Sequence, residues 1–208
     1  MRKVLIGLVA VLAVTASASA ANMLENGGFE TGDLTGWVNV PGDGGGTAQV
    51  FSGGSWGIPA TEGSYFAGWV SSWDTTRNNA YLNQQFTKPA DTMLDWSIDL
   101  YADTTAGEWS VGVDVFYDPN GGTDPDADTA TWIAGEWNQY NPGSAAWGSY
   151  SGQMNSGAGT TGTIFIKTVH NWGVEWNKSA VDNVLITPEP AAALLLLAGL
   201  PLLRRRRA

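Results

Sequence analysis

Thr92-Met93-Leu94-Asp95-Trp96-Ser97-Ile98-Asp99-Leu100-Tyr101 is the stretch on which the fold turns. Leu94, Trp96, Ile98 and Leu100 recur at every second position, with Asp95, Ser97 and Asp99 between them. Successive side chains of an extended backbone point to opposite faces, so this period of two predicts a strand with one apolar face. Working outward, Ser110 to Tyr117 repeats the pattern with Val111, Val113, Val115 and Tyr117. Thr163 to Val169 follows it less cleanly, setting Ile164 and Ile166 against Phe165, Lys167 and Val169. Further strands are expected at 34–40, 47–52, 64–70, 80–86, 130–134, 145–150 and 180–186. Gly44-Gly45-Gly46, Gly53-Gly54, Gly121-Gly122 and Asn141-Pro142-Gly143 punctuate them as turns. No stretch sustains a helical period, and 27 glycines oppose long helices. The expectation is an all-β fold, a two-sheet sandwich or barrel.

The chain has 208 residues, no cysteine, 11 tryptophans, and 20 acidic against 10 basic residues. Arg2 and Lys3 open it and Arg204 to Arg207 close it, leaving Arg77, Lys88, Lys167 and Lys178 between. From Glu25 to Asp182 four basic residues therefore face nineteen acids, a formal charge of about −15. Such a surface repels phosphate backbones and argues against nucleic-acid binding. All 11 tryptophans fall inside this acidic middle, and so many large rings require burial or a ligand, which argues against disorder.

Both ends read as addresses. Arg2-Lys3, the apolar run Val4 to Val14 and the small residues Ala18-Ser19-Ala20 have the form of a signal peptide over residues 1–20, cut by signal peptidase after Ala20. Export makes the missing cysteines informative, because no disulfide staples the domain. At the other end Pro188-Glu189-Pro190 precedes the apolar run Ala191 to Leu203 and Arg204-Arg205-Arg206-Arg207. As a helix that run would be about 20 Å long, short for a bilayer core of about 30 Å. It suits a transient stop in the inner membrane, with the arginines on the cytoplasmic side. This arrangement over residues 188–208 resembles the PEP-CTERM sorting signal of Gram-negative bacteria. The resemblance implies processing by an exosortase-type enzyme, delivery to the cell surface or matrix, and an association with exopolysaccharide and biofilm-like material.

Between the addresses, residues 22–187 form one domain. Its opening, Leu24-Glu25-Asn26-Gly27-Gly28-Phe29-Glu30-Thr31-Gly32-Asp33-Leu34-Thr35-Gly36-Trp37, resembles that of galactose-binding-like jelly rolls and carbohydrate-binding modules. The closing strand Ala180-Val181-Asp182-Asn183-Val184-Leu185-Ile186 is similar to the last strand of that fold. The resemblance implies a two-sheet jelly-roll sandwich, flanked here by an N-terminal signal helix and a short C-terminal hydrophobic helix. It also implies a structural calcium held by Glu30 and Asp182 with backbone carbonyls, since calcium favours six to eight oxygens. The alternative is that Glu30 bonds backbone amides and Asp182 faces solvent. Asp124, Asp126 and Asp128 have the spacing of an EF-hand opening. Thr129 and Gly135 stand where glycine and glutamate belong, so a solvated acidic loop is the better reading.

The flat face of an indole packs on the C–H face of a sugar while nearby amides and carboxylates bond its hydroxyls. Trp96 and Trp37 read as core. Trp56, Trp73, Trp109, Trp137, Trp172 and Trp176 sit in or near loops beside polar residues and are the candidate carbohydrate contacts. No catalytic residues are expected: His170 is the sole histidine, no nucleophile elbow occurs, and no cysteine offers a thiol. Glu108, Glu136 and Glu175 could supply a carboxylate pair, but nothing fixes their separation. Asn177-Lys178-Ser179 fits an N-glycosylation pattern and reads as chance. The expectation is a non-enzymatic exported protein that binds extracellular polysaccharide. Its acidic charge would keep it soluble and recruit divalent cations that bridge it to anionic polymer. The alternatives are a structural matrix protein without a specific ligand and, third, a secreted glycan-acting enzyme.

Overall fold

The alternation at 92–101 is realised as β5 (Met93–Thr104), with Leu94, Ile98 and Leu100 fully or almost fully buried. The computed structural model describes residues 21–107, 109–138 and 146–189. The signal segment, Glu108, Pro190, the apolar run 191–203 and Arg204 to Arg207 lie outside the described residues. The other strands are β1 (Val38–Val40), β2 (Gln49–Ser52), β3 (Tyr65–Ser71), β4 (Tyr81–Thr87) and β6 (Val111–Asp118). They continue with β7 (Thr131–Trp137), β8 (Gly148–Asn155), β9 (Thr161–His170) and β10 (Asn177–Pro188). Each expected stretch overlaps one of these strands, although several strands run beyond the expected bounds.

They form two five-stranded antiparallel sheets, ordered β1-β4-β9-β6-β7 (sheet A) and β2-β3-β10-β5-β8 (sheet B). This is the jelly-roll sandwich. Leu82, Val113, Val115, Ile164 and Ile166 of sheet A meet Trp69, Leu100, Val181 and Ile186 of sheet B in the main core. Fully burying such side chains contributes about 1.5–3 kcal/mol each.

What covers the outer faces decides where a site can form. On sheet B, Phe66, Tyr101 and Ala180 are roofed by Ile58, Trp56, Phe51 and Trp147, making a second apolar cluster. On sheet A the β6–β7 connection folds back over β4 and β9. Gln85 Nε2 donates to the Gly121 carbonyl at 2.6 Å, and Lys167 Nζ bonds both oxygens of Asp126 at 2.7 and 2.9 Å. Asp118 holds this connection in shape, accepting from the Asn120 and Gly122 amides and the Thr129 hydroxyl. The acidic loop is therefore tied down on one side, while Asp124, Asp126 and Asp128 remain exposed to solvent. The β6–β7 half of the outer face is left open.

Candidate functional site

On that open half, the register of β7 against β6 builds an aromatic platform. Trp137 lies opposite Gly112, Gly135 opposite Asp114, and Trp132 opposite Phe116, with a register shift between Val115 and Phe116 that leaves Ile133 as the extra residue. In a regular strand, positions 132 and 137 would face opposite sides, because five is odd. The bulge at Ile133 restores the parity and brings both indoles to the outer face.

Both rings are anchored to one atom. Trp132 Nε1 donates to Asp114 Oδ1 at 3.0 Å and Trp137 Nε1 donates to the same oxygen at 3.1 Å. Among the described residues Asp114 Oδ2 receives no hydrogen bond. Gly112 makes room for the Trp137 ring, whose Cδ2 and Cε2 lie 2.5 and 2.6 Å from where a β-carbon would stand. Trp132 lies against Gly135 in a similar way, with ring atoms 3.3 Å from the equivalent point. Trp109, from the β5–β6 loop, extends the row: its ring centroid is 6.3 Å from that of Trp137. Trp109 and Trp132 are 62% and 56% exposed, which is extreme for indoles and leaves their faces available.

The other expected contacts are distributed. Trp73 and Trp172 are 73% and 64% exposed on adjoining loops, joined where the Trp73 amide donates to the Val174 carbonyl at 2.6 Å. Trp176 is half-buried and carries the Lys178 ammonium 4.1 Å from its ring centroid. Trp56 is committed to packing, with centroids 4.5 Å from Phe51 and 5.3 Å from Phe66. Trp37 is buried, and its indole nitrogen donates to the Asn26 carbonyl. Trp96 sits half-buried at the rim of the core. The structure thus joins Trp109 and Trp137, and adds Trp132, which sequence reasoning left unassigned inside a strand.

Glu30 and Asp182 both bind the connection between β2 and β3. Glu30 accepts from the Ser64 and Tyr65 amides at 2.9 Å. Asp182 Oδ2 accepts from the Thr61 amide (2.7 Å), the Thr61 hydroxyl (2.9 Å) and the Glu62 amide (3.2 Å), while Oδ1 takes the Asn183 amide. Asp182 is fully buried rather than facing solvent. Burial pushes its carboxyl above the ordinary range, and the donors of Thr61, Glu62 and Asn183 pull against that shift. Oδ2 is saturated by donors, and no group of three or more His, Asp or Glu suited to a metal occurs among the described residues. As placed, the two acids brace the chain ends through their own hydrogen bonds.

His170 is fully buried, with Nδ1 2.9 Å from Ser71 Oγ and Nε2 3.1 Å from Ser179 Oγ. Glu136 accepts from the Tyr150 hydroxyl, and Glu175 sits in the exposed β9–β10 loop. Asn177 is fully buried, donating to the Trp172 carbonyl and accepting from Thr104, so its amide is closed to glycosylation.

No protein-family model matches the chain, and no curated protein matches it. Solved structures do. The module TmCBM61, in complex with beta-1,4-galactotriose, is 17% identical with a TM-score of 0.54, covering 82% of this chain and all of that one. The K3 cleaved adhesin domain of Lys-gingipain from Porphyromonas gingivalis W83 is 20% identical, with a TM-score of 0.53, over 81% of this chain and 98% of that one. A cyclase from Fischerella sp. TAU is 16% identical, with a TM-score of 0.53, over 83% of this chain and 98% of that one. At these identities the likeness is one of fold: the domain shares its two-sheet jelly-roll sandwich with these proteins.

Proposed function

We propose that the protein is a non-catalytic binder of polysaccharide outside the cytoplasm, and that the Trp132–Asp114–Trp137 platform with Trp109 is its contact surface. One observation carries this reading: two indoles on the open half of a sheet share one carboxylate oxygen, and the other accepts no hydrogen bond among the described residues. The rings offer apolar faces to sugar C–H groups, and the carboxylate offers an acceptor for hydroxyls. The fold shared with TmCBM61, solved with a galactotriose, supports it. Trp73 and Trp172 are secondary candidates on the neighbouring loops.

Titration of polysaccharides into the protein, read by tryptophan fluorescence, tests the proposal. A saturable, glycan-specific change is expected, weakened about tenfold or more by Trp137→Ala or Trp132→Ala. A flat response across a broad panel overturns it in favour of a structural matrix protein.

The addresses complete the proposal. Signal peptidase would remove residues 1–20, and an exosortase-type enzyme would process the Pro188-Glu189-Pro190 tail on the way to the cell surface or matrix. Recovery of an intact chain through Arg207 from the extracellular fraction, by mass spectrometry, refutes the tail processing. A calcium ion, if bound, would use the remaining lone pairs of Glu30 and of Asp182 Oδ1 and would brace the same ends. Calorimetry with calcium, together with a Tm that falls on chelation, would support it; no heat and an unchanged Tm remove it.

A further inference from the structure

We infer that the Asp114 platform selects uncharged glycan chains and excludes polyuronates and other anionic polymers, an inference that rests on the glycan-binding reading. Lys167 is the one lysine or arginine on the five strands of sheet A, and its ammonium bonds both oxygens of Asp126. The remaining cations between the two addresses stand on other elements. Lys88 is buried with its ammonium on the Gly159 carbonyl. Lys178 lies over Trp176, and Arg77, in the β3–β4 loop, has its Nε buried without a hydrogen-bond partner while its charge helps to hold Asp74 down. Against these stand Asp114 on the platform and Asp124 and Asp126 on the loop beside it. Burial first, and then the charges of Asp124 and Asp126, push the Tyr81 phenol upward beside this loop.

A sugar carboxylate brought to the platform would meet Asp114, and the nearest cation, Lys167 directly across from Asp114 on β9, is already taken up by both oxygens of Asp126. At contact distance near a protein surface, such repulsion costs a hundredfold or more in affinity. A neutral sugar meets the opposite situation. Asp114 Oδ1 is fixed by two indole donors, so Oδ2 is held in place and accepts hydroxyls as a charge-assisted acceptor. Asparagine cannot reproduce this. If its oxygen keeps the indoles, its NH2 faces the sugar; if its oxygen faces the sugar, the NH2 meets two indole N–H donors.

The test uses the full protein in EDTA, with fluorescence titration of neutral galactan, xylan and β-glucan chains and of polygalacturonate and alginate. Titrations are run at about 20 mM and about 500 mM NaCl. Saturable binding of at least one neutral chain at both salts is expected, with no response to the anionic polymers at low salt. Asp114→Asn should weaken neutral binding about tenfold or more and narrow the gap between the two classes. A polyuronate bound at low salt as tightly as any neutral chain overturns the inference while the glycan-binding reading stands. So does wild-type affinity of a folded Asp114→Asn variant for the neutral chain. Should that variant fail to fold, the wild-type comparison decides alone. Absence of binding to either class removes the glycan reading, and this inference with it.

Discussion

Ser71, His170, Ser179 and Thr168 form a buried chain of hydroxyls around one imidazole, the Thr168 and Ser179 oxygens lying 2.5 Å apart. Burial first, and then the Arg77 charge, push His170 from 6.5 down to about 3. The unfolded chain protonates this group near 6.5, whereas the folded protein keeps it neutral until about 3. Its contribution to stability is therefore complete above 6.5 and is lost as pH falls through that window, by at most about 1.4 kcal/mol per pH unit. Asp182 acts with the opposite sign: its raised pKa means that stability is regained as pH falls through its folded value. Denaturant titrations at about pH 7 and about pH 5 should show stability falling with acidification, and the fall should shrink in His170→Gln, which keeps hydrogen-bonding capacity. An unchanged slope in that variant would refute the assignment. The sequence marked His170 as solitary, but its alternating strand could not reveal that serines from two other strands would enclose it.

At the scale of the strand, the platform depends on two absences of a side chain and one extra residue. Gly112→Ala puts a methyl group against the Trp137 ring without requiring an unusual backbone conformation at that position. The β6–β7 ladder should survive and the indole should lift from the sheet. The expected outcome is a loss of glycan affinity of about tenfold, with a Tm shift of only a few degrees. Calorimetry and the fluorescence titration would check the two together. The strands were legible because alternation is a local property of the chain, as Leu94, Ile98 and Leu100 demonstrate. The platform was only half legible. Trp137 stood out beside polar neighbours, but strict alternation sets Trp132 on the opposite face, and no local signal announces the bulge at Ile133 that reverses it. Glu30 and Asp182 were found through the resemblance of the terminal segments. Their partners, the amides of Thr61, Glu62, Ser64 and Tyr65, depend on how a distant loop closes.

Over the whole molecule, charge works against compaction. Four basic residues against nineteen acids between Glu25 and Asp182 give the folded domain a self-repulsion that dissolved ions relieve. Tm should therefore rise by a few degrees between about 10 mM and about 300 mM NaCl, as differential scanning calorimetry would show; a fall would mean that ion pairs dominate. The same molecule has its last described strand in the middle of sheet B, between β3 and β5. Until residues 177–188 are available, that sheet is two separate hairpin-sized pairs, β2–β3 and β5–β8. The opening segment also waits, since the Met23 amide pairs with the Ile186 carbonyl and Asn22 bonds Val184. Completion of sheet B thus waits on residues 177–188. A chain delivered N-terminus first through a narrow channel would therefore lack the strand that joins the two halves of sheet B until residues 177–188 had passed, and the contacts that close it are long-range ones, which form slowly.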